Sequence, residues 1–200
     1  MTGPYEYVAP NYRLQDQQRG GAYGFNTETT PGPRYSGLES LREMLPKEHL
    51  WPIGDFWNFH AGGGGYRNVS VRTAVLEGRY GKAKGLEDYL KKSPVMTYEG
   101  DCAMFEAYAR NKYPPLPAWF QWMLNNAWPS IIWHLYDWYL RPGGGYFGTK
   151  KAYEALHVRS SYDDQSVVLV NSYYRAFPGC RVTANRRGYF HTRPGPSADR

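Results

Sequence analysis

Two short apolar runs, each bounded by turn residues, constrain what this chain can fold into. The first is Ala22-Tyr23-Gly24-Phe25-Asn26-Thr27-Glu28, between Gly20-Gly21 and Thr29-Thr30-Pro31-Gly32-Pro33. The second is Trp119-Phe120-Gln121-Trp122-Met123-Leu124, behind Pro114-Pro115-Leu116-Pro117 and ahead of Asn125-Asn126-Ala127-Trp128-Pro129. Both have the length of strands rather than helices. Helical signals fill the interval between them, and residues 146–155 read as another helix behind Gly143-Gly144-Gly145. Strand, loop, helices, strand, loop, helix is the order of βα units, so the expected fold class is α/β with a parallel sheet.

The connecting segments carry their own signals. Residues 1–20, with Pro4, Pro10, Tyr5, Tyr7 and Tyr12, read as an aromatic loop. Ser36-Gly37-Leu38-Glu39 has the spacing of a capping box ahead of Leu41, Met44 and Leu45. Residues 46–67 read as a loop of about twenty residues, a length associated with function. The pattern predicts helices over 68–80, ended by Gly81, over 86–92, and over about 95–112. In the last of these Tyr98, Cys102, Phe105 and Ala109 make one apolar stripe, so Cys102 reads as a buried structural thiol. After residue 156 the helical period stops. Residues 157–161 and 166–173 read as strands joined by Tyr162-Asp163-Asp164-Gln165, with Val167–Val170 a buried run. A boundary is expected near 156–158.

Composition removes several classes. A chain that is 17% aromatic and 21% charged is not disordered. No run approaches 18 uncharged apolar residues, and the start Met1-Thr2-Gly3-Pro4-Tyr5 has no apolar leader core, so neither membrane span nor signal peptide is expected. Cys102 and Cys180 cannot form a disulfide framework, and the five histidines have no helical ligand spacing, so no metal site or cofactor is expected. The formal charge of +6 comes partly from Lys82, Lys84, Lys91 and Lys92 alternating with acids, and partly from an arginine-bearing tail that reads as disordered after residue 187. No groove-reading motif accompanies it, so no nucleic-acid partner is expected. Gly62–Gly65 lacks the Lys-Ser/Thr of a phosphate loop, and no Gly-x-Ser-x-Gly occurs.

Two features point to chemistry. Glu28 ends the first strand run, where a carboxylate is placed to act as nucleophile or base; it reads equally as a solvated loop carboxylate or a helix-cap partner. Trp128 follows the second strand, where its plane suits the CH face of a sugar or the packing of a sheet mouth. Asn125 and Asn126 can bond sugar hydroxyls or satisfy loop backbone groups.

The stretches Thr2–Val8, Gly21–Glu28, Trp122–Ser130 and Tyr146–Ala152 resemble glycoside hydrolase family 2. Within it the exo-β-D-glucosaminidases, which trim chitosan from the non-reducing end, are most alike, and the β-mannosidases and endo-β-mannosidases come next. The resemblance covers residues 1 to about 184. It implies the last two βα units of a (β/α)8 TIM barrel in residues 1–156, and the start of an immunoglobulin-like β-sandwich in 157–185. Residues 186–200 are an off-pattern tail. It implies a retaining glycosidase with Glu28 as nucleophile, and Tyr5, Asn126 and Trp128 lining the sugar site. The partners implied are a carbohydrate substrate and the remaining barrel and sandwich domains of a larger enzyme, itself secreted or periplasmic. Retention needs a second carboxyl group. The family's acid/base belongs to an Asn-Glu pair, and this chain has no Asn-Glu dipeptide. The 200 residues also fall short of the roughly 250 of a whole barrel. After about Asn185 the sequence departs from the family pattern, and a truncated or shifted reading frame would explain both this and the missing strands. The alternatives are a β-mannosidase-type member and a non-catalytic carbohydrate-binding remnant, and the expectation for the chain by itself is no turnover.

Overall fold

A computed structural model describes residues 7–16, 21–30, 35–62, 69–110 and 118–183. Strand β1 (Phe25–Thr29) and strand β2 (Ala118–Gln121) lie side by side and parallel, with Phe25 opposite Ala118, Asn26 opposite Trp119 and Thr29 opposite Gln121. The expected parallel pair is therefore present, although β2 ends three residues earlier than its apolar run. From Asn26 to Thr29 is three steps on β1, and from Trp119 to Gln121 is two on β2. β1 thus carries one extra residue, a bulge at Thr27-Glu28.

Between the strands run helices α2 (Leu38–Met44), α3 (Asp55–His60), α4 (Ser70–Tyr80) and α5 (Leu86–Arg110), with a 3-10 turn at Lys47–His49; helix α1 (Tyr12–Gln15) precedes β1. Three expectations are corrected here. The stretch 46–67 is not a bare loop where it is described. Trp57 of α3 is fully buried, and its indole N–H donates to His49 O at 3.2 Å and Leu50 O at 3.3 Å, which fastens the 3-10 turn to α3. The aromatic start holds a helical turn, α1, whose buried Arg13 reaches Thr30 O at 2.8 Å. The two helices expected over 86–92 and 95–112 are one, because Pro94 sits inside α5. A proline forfeits one helical hydrogen bond and crowds the preceding turn. The continuous buried face of α5, from Tyr89 through Met96 and Met104 to Tyr108, outweighs that local cost.

Capping differs too. α2 begins from an extended Gly37 with no side-chain cap, and Ser36 Oγ is buried without a hydrogen-bond partner, so the capping box is not formed. Gly81 does end α4, at φ 79°, a conformation that favours glycine.

Helix α6 (Gly144–Ala152) packs on α5 with very close backbones. A Cβ on Gly144 would lie 2.1 Å from Pro94 O, and one on Gly148 2.3 Å from Tyr98 O. Gly144, Gly148 and Ala152 fall four residues apart and form the small-residue stripe that permits this approach. Strands β3 (Leu156–Ser160) and β4 (Val167–Asn171) make an antiparallel hairpin, as expected, in register from Leu156 opposite Asn171 to Ser160 opposite Val167. Val167–Val170 is not buried: Val167 is exposed and the other three are half-buried. The hairpin is tied to α5 by polar contacts. His157 Nε2 meets Glu106 Oε1 at 2.6 Å, Arg159 donates to Glu106 O, and Arg110 pairs with Asp163 at 2.7 Å and Asp164 at 3.0 Å.

Apolar packing forms two clusters. One joins α2, α3, α4 and the first half of α5 around Trp57, Leu41, Leu76 and Tyr89, and it includes Ile131 and Ile132 from the loop after β2. The other joins α1, the end of α5 and α6 around Leu14, Phe105, Tyr108 and Ala152, with Trp119 of β2 against it. Trp119 stacks on Tyr108 at 4.3 Å. Helices thus cover one face of the β1–β2 sheet. On the other, Phe25 (54% exposed) and Phe120 (65%) meet edge to face at 6.0 Å.

Candidate functional site

The site is assembled at the C-terminal ends of β1 and β2. Side chains alternate along a strand, so Asn26 fixes the orientation from which Glu28 departs. Asn26 is buried, and its amide donates to Tyr108 OH at 3.0 Å while its Oδ1 accepts from Glu28 N at 3.1 Å. Thr29 is buried against Met104, and Thr29 O accepts from Trp122 N at 2.9 Å. Arg13 clamps the next carbonyl, and burial pushes its guanidinium below its ordinary value. The residues flanking Glu28 on β1 are therefore anchored. Glu28 itself is half-buried, and its carboxylate has no hydrogen bond or ion pair among the described residues. Bulges re-aim side chains and concentrate beside active sites, and this one falls on Glu28.

Trp128 stands on the loop that leaves β2. That loop is held by Met123 N donating to Trp133 O at 2.7 Å, by Tyr136 N donating to Leu124 O at 2.9 Å, and by Ile131 N donating to His60 O at 3.0 Å. Asn126 is 2% exposed, and its amide donates to Ser130 O at 3.3 Å and Ile132 O at 3.2 Å. Of the two jobs open to it, the structure shows the satisfaction of loop backbone groups. Trp128 is 39% exposed and lies against the end of α3. It stacks on His60 with ring centroids 5.6 Å apart at 22°, and meets Phe59 edge to face at 5.7 Å. His60 Nδ1 contacts Pro129 O at 2.5 Å.

Tyr5, Pro31–Pro33, Pro114–Pro117, most of the Gly62–Gly65 run and the tail from 184 onward lie outside the described residues. Glu28 and Trp128 leave from the same edge of one sheet, but no contact joins them among the described residues. A cavity of about 510 Å³ lined by Leu38, Arg42 and residues 84–88 and 91, and another of about 380 Å³ between Trp119, Tyr153 and His157, both exclude Glu28 and Trp128. No group of three metal-ligating side chains occurs among the described residues. The partners of Trp128 on α3 were not singled out from sequence. The signal was there in Phe59-His60 at a helix end, but the loop reading of 46–67 hid it.

No protein-family model matches the chain. The exo-β-D-glucosaminidase of Streptomyces avermitilis is 43% identical over 192 residues, which is 92% of this chain and 21% of that protein. The exo-β-D-glucosaminidase of Amycolatopsis orientalis is 35% identical, over 92% of this chain and 19% of that protein. A crystal structure of the Amycolatopsis orientalis exo-chitosanase CsxA superposes with a TM-score of 0.73 at 33% identity, covering 84% of this chain and 21% of that one. A β-D-mannosidase from Dictyoglomus thermophilum, at 18% identity and TM-score 0.65, covers 83% and 20% and shares the fold. The resemblance read from the motifs is thus upheld: the chain is similar to exo-β-D-glucosaminidases, with mannosidases more distant. It spans about a fifth of the length of the curated relatives it matches.

Proposed function

We propose that this chain is the nucleophile-bearing portion of a retaining exo-β-D-glucosaminidase of glycoside hydrolase family 2. In this reading β1 and β2 are the seventh and eighth strands of a (β/α)8 barrel, and α6 is its last helix. Residues 157–185 begin the sandwich that follows. The observation that carries the reading is Glu28: a half-buried carboxylate, unpaired among the described residues, at a bulge on the C-terminal end of a parallel strand, where barrel chemistry is built.

The chemistry follows from one carboxylate on this chain and one beyond it. An oxygen of Glu28 attacks the anomeric carbon of a non-reducing β-linked glucosamine as the glycosidic C–O bond breaks. The leaving oxygen takes a proton from the second carboxyl group, which belongs to the rest of the larger enzyme. Water, deprotonated by that same group, then cleaves the glycosyl ester with net retention. Trp128 covers the apolar face of sugar, Asn126 holds the loop that presents it, and Tyr5 contributes from the segment before β1. The outer face of the sheet, with the exposed Phe25 and Phe120, is where the other strands would pack, since parallel sheets are covered on both faces.

The single carboxylate also favours a second reading, a carbohydrate-binding piece without turnover. Transplantation separates the two. This chain replaces the matching fifth of an exo-β-D-glucosaminidase relative, and release of glucosamine from chitosan oligomers is followed. The proposal expects multiple turnover from the hybrid and none from the chain alone. A folded hybrid that binds oligomers without releasing glucosamine would favour the second reading, and turnover by the chain alone would refute the dependence on a second carboxylate.

A further inference from the structure

We propose that His60, with Trp128 and Phe59, forms an amino-sugar contact in which the imidazole Nε2 accepts a hydrogen bond from the sugar ammonium. The inference rests on the glucosaminidase reading and adds a residue to it.

The argument begins with the proton on His60. Pro129 O can only accept, so at 2.5 Å Nδ1 must be the nitrogen that carries hydrogen. In the neutral tautomer that carries this hydrogen, the lone pair lies on Nε2. That atom has no protein partner among the described residues and is not sealed from solvent. The ring is held by the Pro129 bond and by stacking on Trp128, and its backbone is held by the His60 carbonyl accepting from Ile131 N at 3.0 Å. A fixed acceptor thus lies beside a half-open indole.

Those two features sort possible ligands. An indole face offers apolar contact to the CH face of a pyranose and attracts a cation through its π system. Phe59, 68% exposed and edge-on to Trp128, adds a second apolar wall. A hydrogen bond from a charged donor is about twice as strong as one from a neutral donor. The combination selects a pyranose bearing an ammonium group over one bearing a hydroxyl, and over one whose nitrogen is acetylated, which is neutral and bulkier. The occupant is a β-linked glucosamine unit of an oligomer.

The test uses the 200-residue chain and saturation-transfer NMR, which tolerates self-association. The probes are a β-1,4-linked glucosamine trimer, its fully N-acetylated form and cellotriose. The expected result is binding of the glucosamine trimer at least fivefold tighter than either comparator, with transfer largest to its ring CH protons. His60→Phe, which keeps a stacked ring but no acceptor, brings the preference within twofold while cellotriose binding persists. His60→Asn, which keeps a donor for Pro129 O, does the same. In the unsubstituted chain labelled with nitrogen-15 histidine, the His60 Nε2 resonance moves on saturation with the glucosamine trimer, so the proposal is testable even if both variants misfold. Absent binding, equal binding of all three probes, or an unmoved Nε2 resonance would each overturn it. Failure here leaves the transplantation experiment as the separate judge of the glycosidase reading.

Discussion

The Cys102 thiol donates to Glu106 Oε1 at 3.5 Å on the face of α5 that meets α6 and the hairpin. Burial, then the Glu106 carboxylate beside it, pushes its pKa up to about 12. Cys180 is exposed. Since the thiolate is the reactive form, iodoacetamide at pH 8 is expected to modify Cys180 at least tenfold faster than Cys102, as read by peptide mass spectrometry; comparable rates would contradict the burial. The same shift has a sign for stability. The folded thiol holds its proton above the ordinary 9.0, so its contribution is full below about pH 9 and is lost as pH rises toward 12. The apolar stripe Tyr98, Cys102, Phe105 and Ala109 suggested a buried thiol, but Cys102 is half-buried and only Phe105 of the four is buried, because α5 turns a different face to the core. Glu28 was legible as a candidate because a carboxylate closing an apolar run is conspicuous. For Asn126 the sequence left two roles open, and only the folded loop, which brings the Ser130 and Ile132 carbonyls to its amide, decides between them.

Helices α5 and α6 meet through backbone, and their glycines make the contact testable. Gly144→Ala places a Cβ where Pro94 O already lies, 2.1 Å away, so the helices must separate. The cost is expected at about 1–3 kcal/mol, the usual range for overpacking. Gly78 is exposed within α4, with open space where a Cβ would go. Gly78→Ala is therefore expected to stabilise by about 0.5–1 kcal/mol through helix propensity. Urea midpoints from helical circular dichroism at low protein concentration compare the two; a shift of the same sign for both would contradict the packing. The element order was readable from strand-length runs and turn residues. Two of its three errors share a cause. Pro94 and the 46–67 stretch were judged on local signals, and in both places long-range burial, of the α5 face and of Trp57, overrode them.

At the scale of the molecule, one face of the β1–β2 sheet is covered by helices and the other exposes Phe25 and Phe120. A parallel pair with exposed aromatic side chains invites association through its face and edges. Sedimentation velocity is expected to show the chain self-associating, and Phe25→Ser with Phe120→Ser to return it mostly to monomer. A monodisperse monomer with one sharp unfolding transition would count against an incomplete sheet. That this sheet is part of a barrel is a reading drawn from family resemblance, because two paired strands do not specify what else they pair with. The central claim, that Glu28 is the attacking carboxylate, is tested most directly in the hybrid enzyme by trapping. A fluorinated glucosamine-configured glycoside that forms a slow-turning ester is added, and the labelled peptide is sequenced by mass spectrometry. The account predicts a single glycosyl adduct on Glu28, with Glu28→Gln abolishing the adduct and lowering kcat at least 1000-fold, about 4 kcal/mol of barrier. An adduct on another carboxylate, or a Glu28→Gln hybrid within about tenfold of full activity, would contradict it.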